Sequence, residues 1–289
     1  GTVGAQTNNS TGVASIGYNI SIMAVKIGNC SGSLTHGYEG INWAANNDAD
    51  VINMSWGGGG FSNYGQNVCN AAVNAGSILV AAAGNDGTNQ QFYPAAYASV
   101  VAVASTTTND AKSSFSQYGS WVDIAAPGSA IYSTYATSNT AYSRLQGTSM
   151  ASPNVSGLLG LMKSYAPNVS NQDLVSCLYS SAANINNVNA NYIGQLGAGR
   201  IDAHEALLCL QQYNVSLDAG ITAISSPSLT ICGGSFSPTV TLKNFGQNTL
   251  TSVVINYQWN GTPLTFNWSG NLATGQITQV NLPDQFGPA

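Results

Sequence analysis

The chain has 289 residues, with only 6 Lys+Arg against 11 Asp+Glu, a net charge of −5, and a charged fraction of 6% against a typical quarter. So few cations exclude an electrostatic footprint for nucleic acid, and no apolar run approaches the roughly 20 residues needed to span a bilayer. With 44% hydrophobic residues the length suffices for one sizeable core and more naturally for two domains. The polar surface must then be built from Ser, Thr, Asn, Gln, Gly and Tyr, as in many exported proteins. The sequence opens at Gly1 without Met or a signal peptide. It therefore reads as a piece of a longer precursor, secreted or held at the cell surface.

Residues 2–17 are small and polar. Residues 19–27 alternate and then turn apolar, which predicts a strand. Helical spacing follows at 38–45, a strand at 50–55, a glycine run at 57–60, and a helix at 67–75. Residues 78–83 form a near-continuous apolar strand, with further strands at 100–104 and 121–125. Apolar strands alternating with helices imply a parallel sheet covered on both faces, an α/β fold with its ligand site beyond the carboxyl ends of the strands. Ser55 and Asn85 fall at such ends. Helices are predicted at 155–162, 172–180 and 203–210, with Asp202 as a cap for the last.

From about residue 217 the texture changes. Segments 221–225, 238–243, 250–259, 264–268 and 277–282 alternate between Asn, Gly, Ser and Pro clusters. They predict a small all-β module of immunoglobulin-like type. Its 72 residues, 218–289, fall short of the about 100 of a typical sandwich, so it reads as truncated. The division is thus 1–213, a linker at 214–217, and 218–289. Five cysteines form no C-x-x-C pair, which argues against zinc. In an oxidising compartment the favoured pairings are Cys30–Cys69 and Cys177–Cys209, with Cys232 left over; five free thiols are the alternative.

The stretch Gln146-Gly147-Thr148-Ser149-Met150-Ala151-Ser152-Pro153 ends an irregular segment and opens the 155–162 helix. Thr148 or Ser149 suits an N-cap, and Pro153 suits a first turn. A serine there is offered backbone N–H donors and the positive end of the helix dipole, which favour the anion formed when its hydroxyl attacks a carbonyl. The α/β-hydrolase elbow G-x-S-x-G fails, since Ala151 stands in place of its second glycine.

Residues 147–153 resemble the nucleophile motif G-T-S-M-A-x-P of the subtilisin-like serine proteases, the subtilases. Ala82-Ala83-Gly84-Asn85 resembles that family's A-A-G-N segment, and Asn53-Met54-Ser55-Trp56-Gly57-Gly58 its substrate-binding edge. Residues 197–202 resemble the segment that closes the catalytic domain. The resemblance covers about residues 1–211. It implies a serine endopeptidase in which Ser149 is the nucleophile and Asn85 with the Ser149 N–H forms the oxyanion hole. Ser55, Trp56, Gly57 and Gly58 would line one side of the substrate groove, and Ala82, Ala83 and Gly84 the other. Uncharged walls imply a broad apolar or aromatic preference before the cut bond.

The resemblance also places a cis bond at Tyr93-Pro94 and a structural calcium at the loop of Thr7, Asn9, Thr11 and Val13, with no cofactor for catalysis. Residues 1–5 resemble the stretch just after the family's histidine motif, so that histidine falls six residues upstream of Gly1 and the aspartate further upstream. The chain's own His36 and His204 stand in other contexts and read as surface residues. The expectations are a monomer acting on peptide or protein substrates, inactive as these residues alone. The rival reading is a binding or adhesion protein on a degenerate protease scaffold.

Overall fold

A computed structural model describes residues 1–214, 217–226 and 234–286. The chain divides into two compact units, Gly1–Leu210 and Gln211–Ala289.

The first unit is built on a four-stranded parallel sheet in the order β1 (Val51–Met54), β2 (Ile78–Ala82), β3 (Val100–Thr106), β4 (Ile124–Pro127). Every residue of β2 and β3 is buried, as strands covered on both faces require. On one face Ile52, Met54, Leu79, Ala81, Val100 and Ala102 meet α1 (Gly37–Ala45) and α2 (Asn63–Asn74) in one core. On the other, α3 (Thr148–Tyr165) packs across all four strands and buries Ala151, Val155, Leu158, Leu159 and Met162. Between β4 and α3 a hairpin, β5 (Ile131–Thr134) with β6 (Tyr142–Leu145), stands apart; the sequence pattern does not predict it. After α3 come α4 (Asn171–Ser180), a single 3-10 turn, and α5 (Ala203–Asn214). As expected, Asp202 caps α5, its Oδ1 accepting from the N–H groups of His204 and Glu205.

Two strand expectations are corrected. Residues 19–27 form no ladder with the sheet. Their apolar side chains Val25 and Ile27 line, with Ile52 and Met54 of β1, a cavity of about 1390 Å³, and among the described residues no strand lies beside them to supply the backbone partners a ladder needs. The last strand begins at Ile124 rather than Trp121, because the Asp123 side chain itself joins the ladder. Its backbone N–H donates to the Ala102 carbonyl (3.1 Å) while its Oδ2 accepts from the Ala102 N–H (2.8 Å).

The expected disulfide Cys177–Cys209 is present and ties α4 to α5. Closing a loop of 32 residues, it contributes on the order of 3–4 kcal/mol. The Cys30–Cys69 pairing does not form. Cys69 faces the core from α2 with 0% exposure, whereas Cys30 lies in an exposed turn closed by Gly28 and Leu34. The leftover Cys232 lies outside the described residues.

In the second unit the predicted strands appear as β7 (Ala219–Ser226), β9 (Thr239–Asn244), β10 (Leu250–Trp259), β11 (Thr262–Leu272) and β12 (Ile277–Asn281). Two short strands join them, β8 (Ser235–Phe236) and β13 (Gln285–Phe286), paired with each other. All pairings are antiparallel, β7 and β12 flanking β9 and β10 pairing with β11. Val240, Leu242 and Val280 of one sheet share a core with Leu250, Ile255 and Leu272 of the other.

This packing has two measurable consequences. Burial raises the Asp123 carboxyl above its usual range, with the Ala102 N–H opposing. A raised folded-state pKa means a contribution to stability that is present in acid and lost as pH rises through it. Asp123→Asn keeps an acceptor without the charge. Its melting temperature relative to wild type should climb as pH rises above the usual carboxylate range; a flat or falling difference would contradict this. For the thiols, burial pushes Cys69 up to about 12. Iodoacetamide on the native protein should therefore modify Cys30 and spare Cys69 until the chain unfolds, as read by peptide mass mapping.

Candidate active site

The carboxyl ends of β1 and β2 converge on the first turn of α3. The N-cap is Gly147, neither Thr148 nor Ser149, and it sits at φ 147°, where only glycine is unstrained. Thr148 is thereby released from capping. Its Oγ1 accepts from the Gly84 N–H (3.1 Å) and donates to Asn85 Oδ1 (3.0 Å). The Thr148 N–H also donates to Asn85 Oδ1, at 2.8 Å. A backbone N–H can only donate, so the amide of Asn85 must turn its oxygen to Thr148 and its Nδ2 outward. Among the described residues neither Asn85 Nδ2 nor the Ser149 N–H finds an acceptor. Both lie beside Gly147, for a Cβ there would stand 3.6 Å from Asn85 Nδ2 and 3.7 Å from Ser149 N. Any side chain at 147 would fill the space between the two donors.

Pro153 is the sixth residue of α3, not a first-turn residue. Lacking an N–H, it leaves the Ser149 carbonyl without its helical partner. Ser55 supplies the replacement: its Oγ donates to the Ser149 carbonyl (2.9 Å), while Ser149 Oγ donates back to the Ser55 carbonyl (3.1 Å). Asn53 Nδ2 holds Ser55 Oγ at 2.9 Å, and its Oδ1 accepts from Ser152 and Ser156 at 2.8 and 3.0 Å. The sequence marks Asn53 only as part of the edge segment; its place at the hub of these bonds depends on β1 lying against α3.

Of the other expected residues, Gly58 exchanges two backbone hydrogen bonds with Tyr93, both 2.8 Å, and Tyr93-Pro94 is cis as expected. The Trp56 ring turns away to pack edge-on to Tyr38 (5.7 Å between centroids). Ala82 and Ala83 are buried, and the Ala83 methyl points into a separate core with Ala104, Val122 and Ala125. The two histidines stay apart from this cluster. His36 is exposed and bonded to its neighbour Thr35, and His204 is exposed on α5. In loop 7–13, Asn9 Oδ1 is taken by the Thr11 N–H (3.1 Å). The loop offers neutral oxygens only, and the described residues hold no group of three or more His, Cys, Asp or Glu placed for a metal. Calcium prefers carboxylates in its shell, so loop 7–13 by itself does not fit the ion.

A serine in the first turn of a buried helix, with an asparagine amide beside it at the end of a parallel strand, is an arrangement compatible with acyl chemistry. The Subtilase family model matches residues 1–199, and the chain belongs to that family of serine-type peptidases. It is 44% identical over 209 residues to thermitase of Thermoactinomyces vulgaris, covering 72% of each chain. It is 41% identical over 225 residues to an extracellular protease of Xanthomonas campestris, spanning 72% of this chain and 38% of that one. Subtilisin DY of Bacillus licheniformis is 44% identical over 191 residues, with 64% and 69% covered. Among solved structures, proteases from Pseudoalteromonas arctica superpose with a TM-score of 0.65 at 35% identity, over 72% of this chain and 68% of that chain.

The Ser55–Ser149 bond makes a measurable claim. Ser55→Ala leaves the Ser149 carbonyl unsatisfied and should cost about 1–3 kcal/mol in a urea melt. In a Pro153→Ala background the residue-153 N–H returns to that carbonyl, so the same substitution should cost clearly less. Equal costs in the two backgrounds would refute the account.

Proposed function

We propose that the protein is an exported serine endopeptidase in which Ser149 attacks the scissile carbonyl of a peptide. The observation that carries this is the pair of unpaired donors, Asn85 Nδ2 and the Ser149 N–H, beside one glycine at the positive end of α3. As the carbonyl becomes tetrahedral, its oxygen gains negative charge there and accepts from both donors, which need no reorganisation. Ser55 and Gly57 offer backbone to one side of an extended substrate, with Gly58 pinned to Tyr93 and Trp56 holding that segment to α1. Ala82, Ala83 and Gly84 border the other side.

The base that takes the Ser149 proton and the carboxylate that orients it come, on this reading, from residues preceding Gly1. The cavity beside β1 supports it. The cavity is lined by Asn53 and Met54 of β1 and by Met150, Pro153 and Ser156 of α3, so chain entering there runs next to Ser149. A further parallel strand would pair with the free edge of β1. No cofactor enters the chemistry, and calcium at loop 7–13 would need carboxylates from outside it. The names of the relatives and the Cys177–Cys209 disulfide favour an oxidising, extracellular setting. We take the enzyme as a monomer, and the second unit as an immunoglobulin-like module.

The test is fluorophosphonate labelling. The protein extended upstream should be labelled at Ser149 and cleave peptide. Asn85→Ala should lower kcat by about 10²–10³ with little change in KM. Residues 1–289 alone should be some 10⁶ slower, the cost of losing a triad histidine. An extended protein that resists the label would leave the scaffold as a binding protein, with the second unit as its working part.

A further inference from the structure

The register of β1 and β2 places two glycines opposite one another. Met54 pairs with Ala81, and three residues beyond each of these two come Gly57 and Gly84. These are the walls between which the side chain before the cut bond would enter. The space between them is taken by Phe92. A Cβ on Gly57 would fall 2.4 Å from Phe92 Cε1 and 2.9 Å from its Cδ1, and a Cβ on Gly84 would fall 3.0 Å from its Cγ. The ring thus touches both glycines at once and bridges the gap.

Its backbone cannot easily withdraw. The Phe92 carbonyl accepts from the Ala96 N–H (2.9 Å), and the next residue, Tyr93, is bonded through both its N–H and its carbonyl to Gly58. Behind Gly84, Gln117 closes the far side: a Cβ on that glycine would lie 1.8 Å from its Oε1. Gln117 is 2% exposed and its Nε2 is held by the Gln90 carbonyl (2.7 Å). The ring therefore has a wall on each side and an anchored main chain.

We infer that Phe92 fills the primary specificity pocket and makes this enzyme selective for small residues, alanine above all, immediately before the cut bond. This deepens the proposed protease reading and rests on it. It also narrows the broad apolar or aromatic preference that uncharged walls alone imply, because a second aromatic ring cannot share the space with the first. A hydrophobic pocket distinguishes one methylene by about tenfold or more, so a ring-sized clash separates substrates more sharply.

The experiment uses the protein extended upstream and the probes acetyl-Ala-Ala-Xaa, with Xaa alanine, leucine or phenylalanine. Calorimetry gives binding of the free acids, and kcat/KM is read on the matching anilides. We expect alanine to be preferred over phenylalanine by more than about tenfold in both. Phe92→Gly should raise the phenylalanine-to-alanine ratio by about tenfold or more. Phe92→Ala, a milder change to the backbone, should fall between. Equal or better use of phenylalanine by the wild type, an unchanged ratio in both variants, or no binding of any probe would overturn the inference. Binding with the expected order but no fluorophosphonate labelling would leave the pocket assignment standing and sink only the catalytic reading.

Discussion

The proline at position 153 sets the constraint on which the site depends. A helix cannot satisfy the carbonyl four residues before a proline, and here that carbonyl belongs to Ser149. The orphaned oxygen is met by Ser55 from the end of β1, and Ser149 returns a bond to the Ser55 backbone. The gap in the helical ladder thus becomes a fastening between helix and sheet. Asn53 extends it, joining Ser55 to Ser152 and Ser156 on the next turn.

A second fastening comes from β2. Asn85 and Gly84 are both bound to Thr148, one through the amide oxygen and one through the backbone N–H. Because Thr148 spends its side chain this way, the helix begins on a glycine without a side-chain cap. The amide that would be capped in an ordinary helix, that of Ser149, stays free. An uncapped N-terminus costs stability, typically about 1 kcal/mol. What it leaves is an unpaired donor, which on the proposed reading faces the place where charge would develop. Stability and preorganisation pull against each other here, and the two strand-to-helix fastenings hold the geometry regardless.

On the proposed reading, the same strand ends also shape what a substrate groove would admit. Glycine at 57 and 84 makes room, yet the room is filled by a ring from a third segment, anchored by the Gly58–Tyr93 bonds. Wall composition alone is therefore a poor guide to a pocket. What stands between the walls comes from elsewhere in the chain.

Much is legible in the sequence because it rests on local rules. Uninterrupted apolar runs at 78–83 and 100–104 announce strands buried on both faces, and the alternation after residue 217 announces strands of another kind. Asp202 before a helix reads as a cap, and it is one. The run 147–153 is a contiguous signature, so Ser149 can be singled out without any contact. Everything set by distance across the chain needs the tertiary structure. Residues 19–27 have strand character, but a strand exists only with a partner, and the partner is a matter of packing. By sequence Cys30 and Cys69 pair as readily as Cys177 and Cys209, but α2 turns one of them into the core. The Thr148 side chain suits a cap, yet a buried acceptor and donor on β2's end draw it away. Phe92 is an unremarked aromatic in the sequence, for nothing local says that its ring spans two glycines 27 residues apart. Sequence alone specified the periodicities and the contiguous motif, since these are properties of neighbours along the chain. Only the folded arrangement decided which side chains compete for the same space and the same hydrogen bonds.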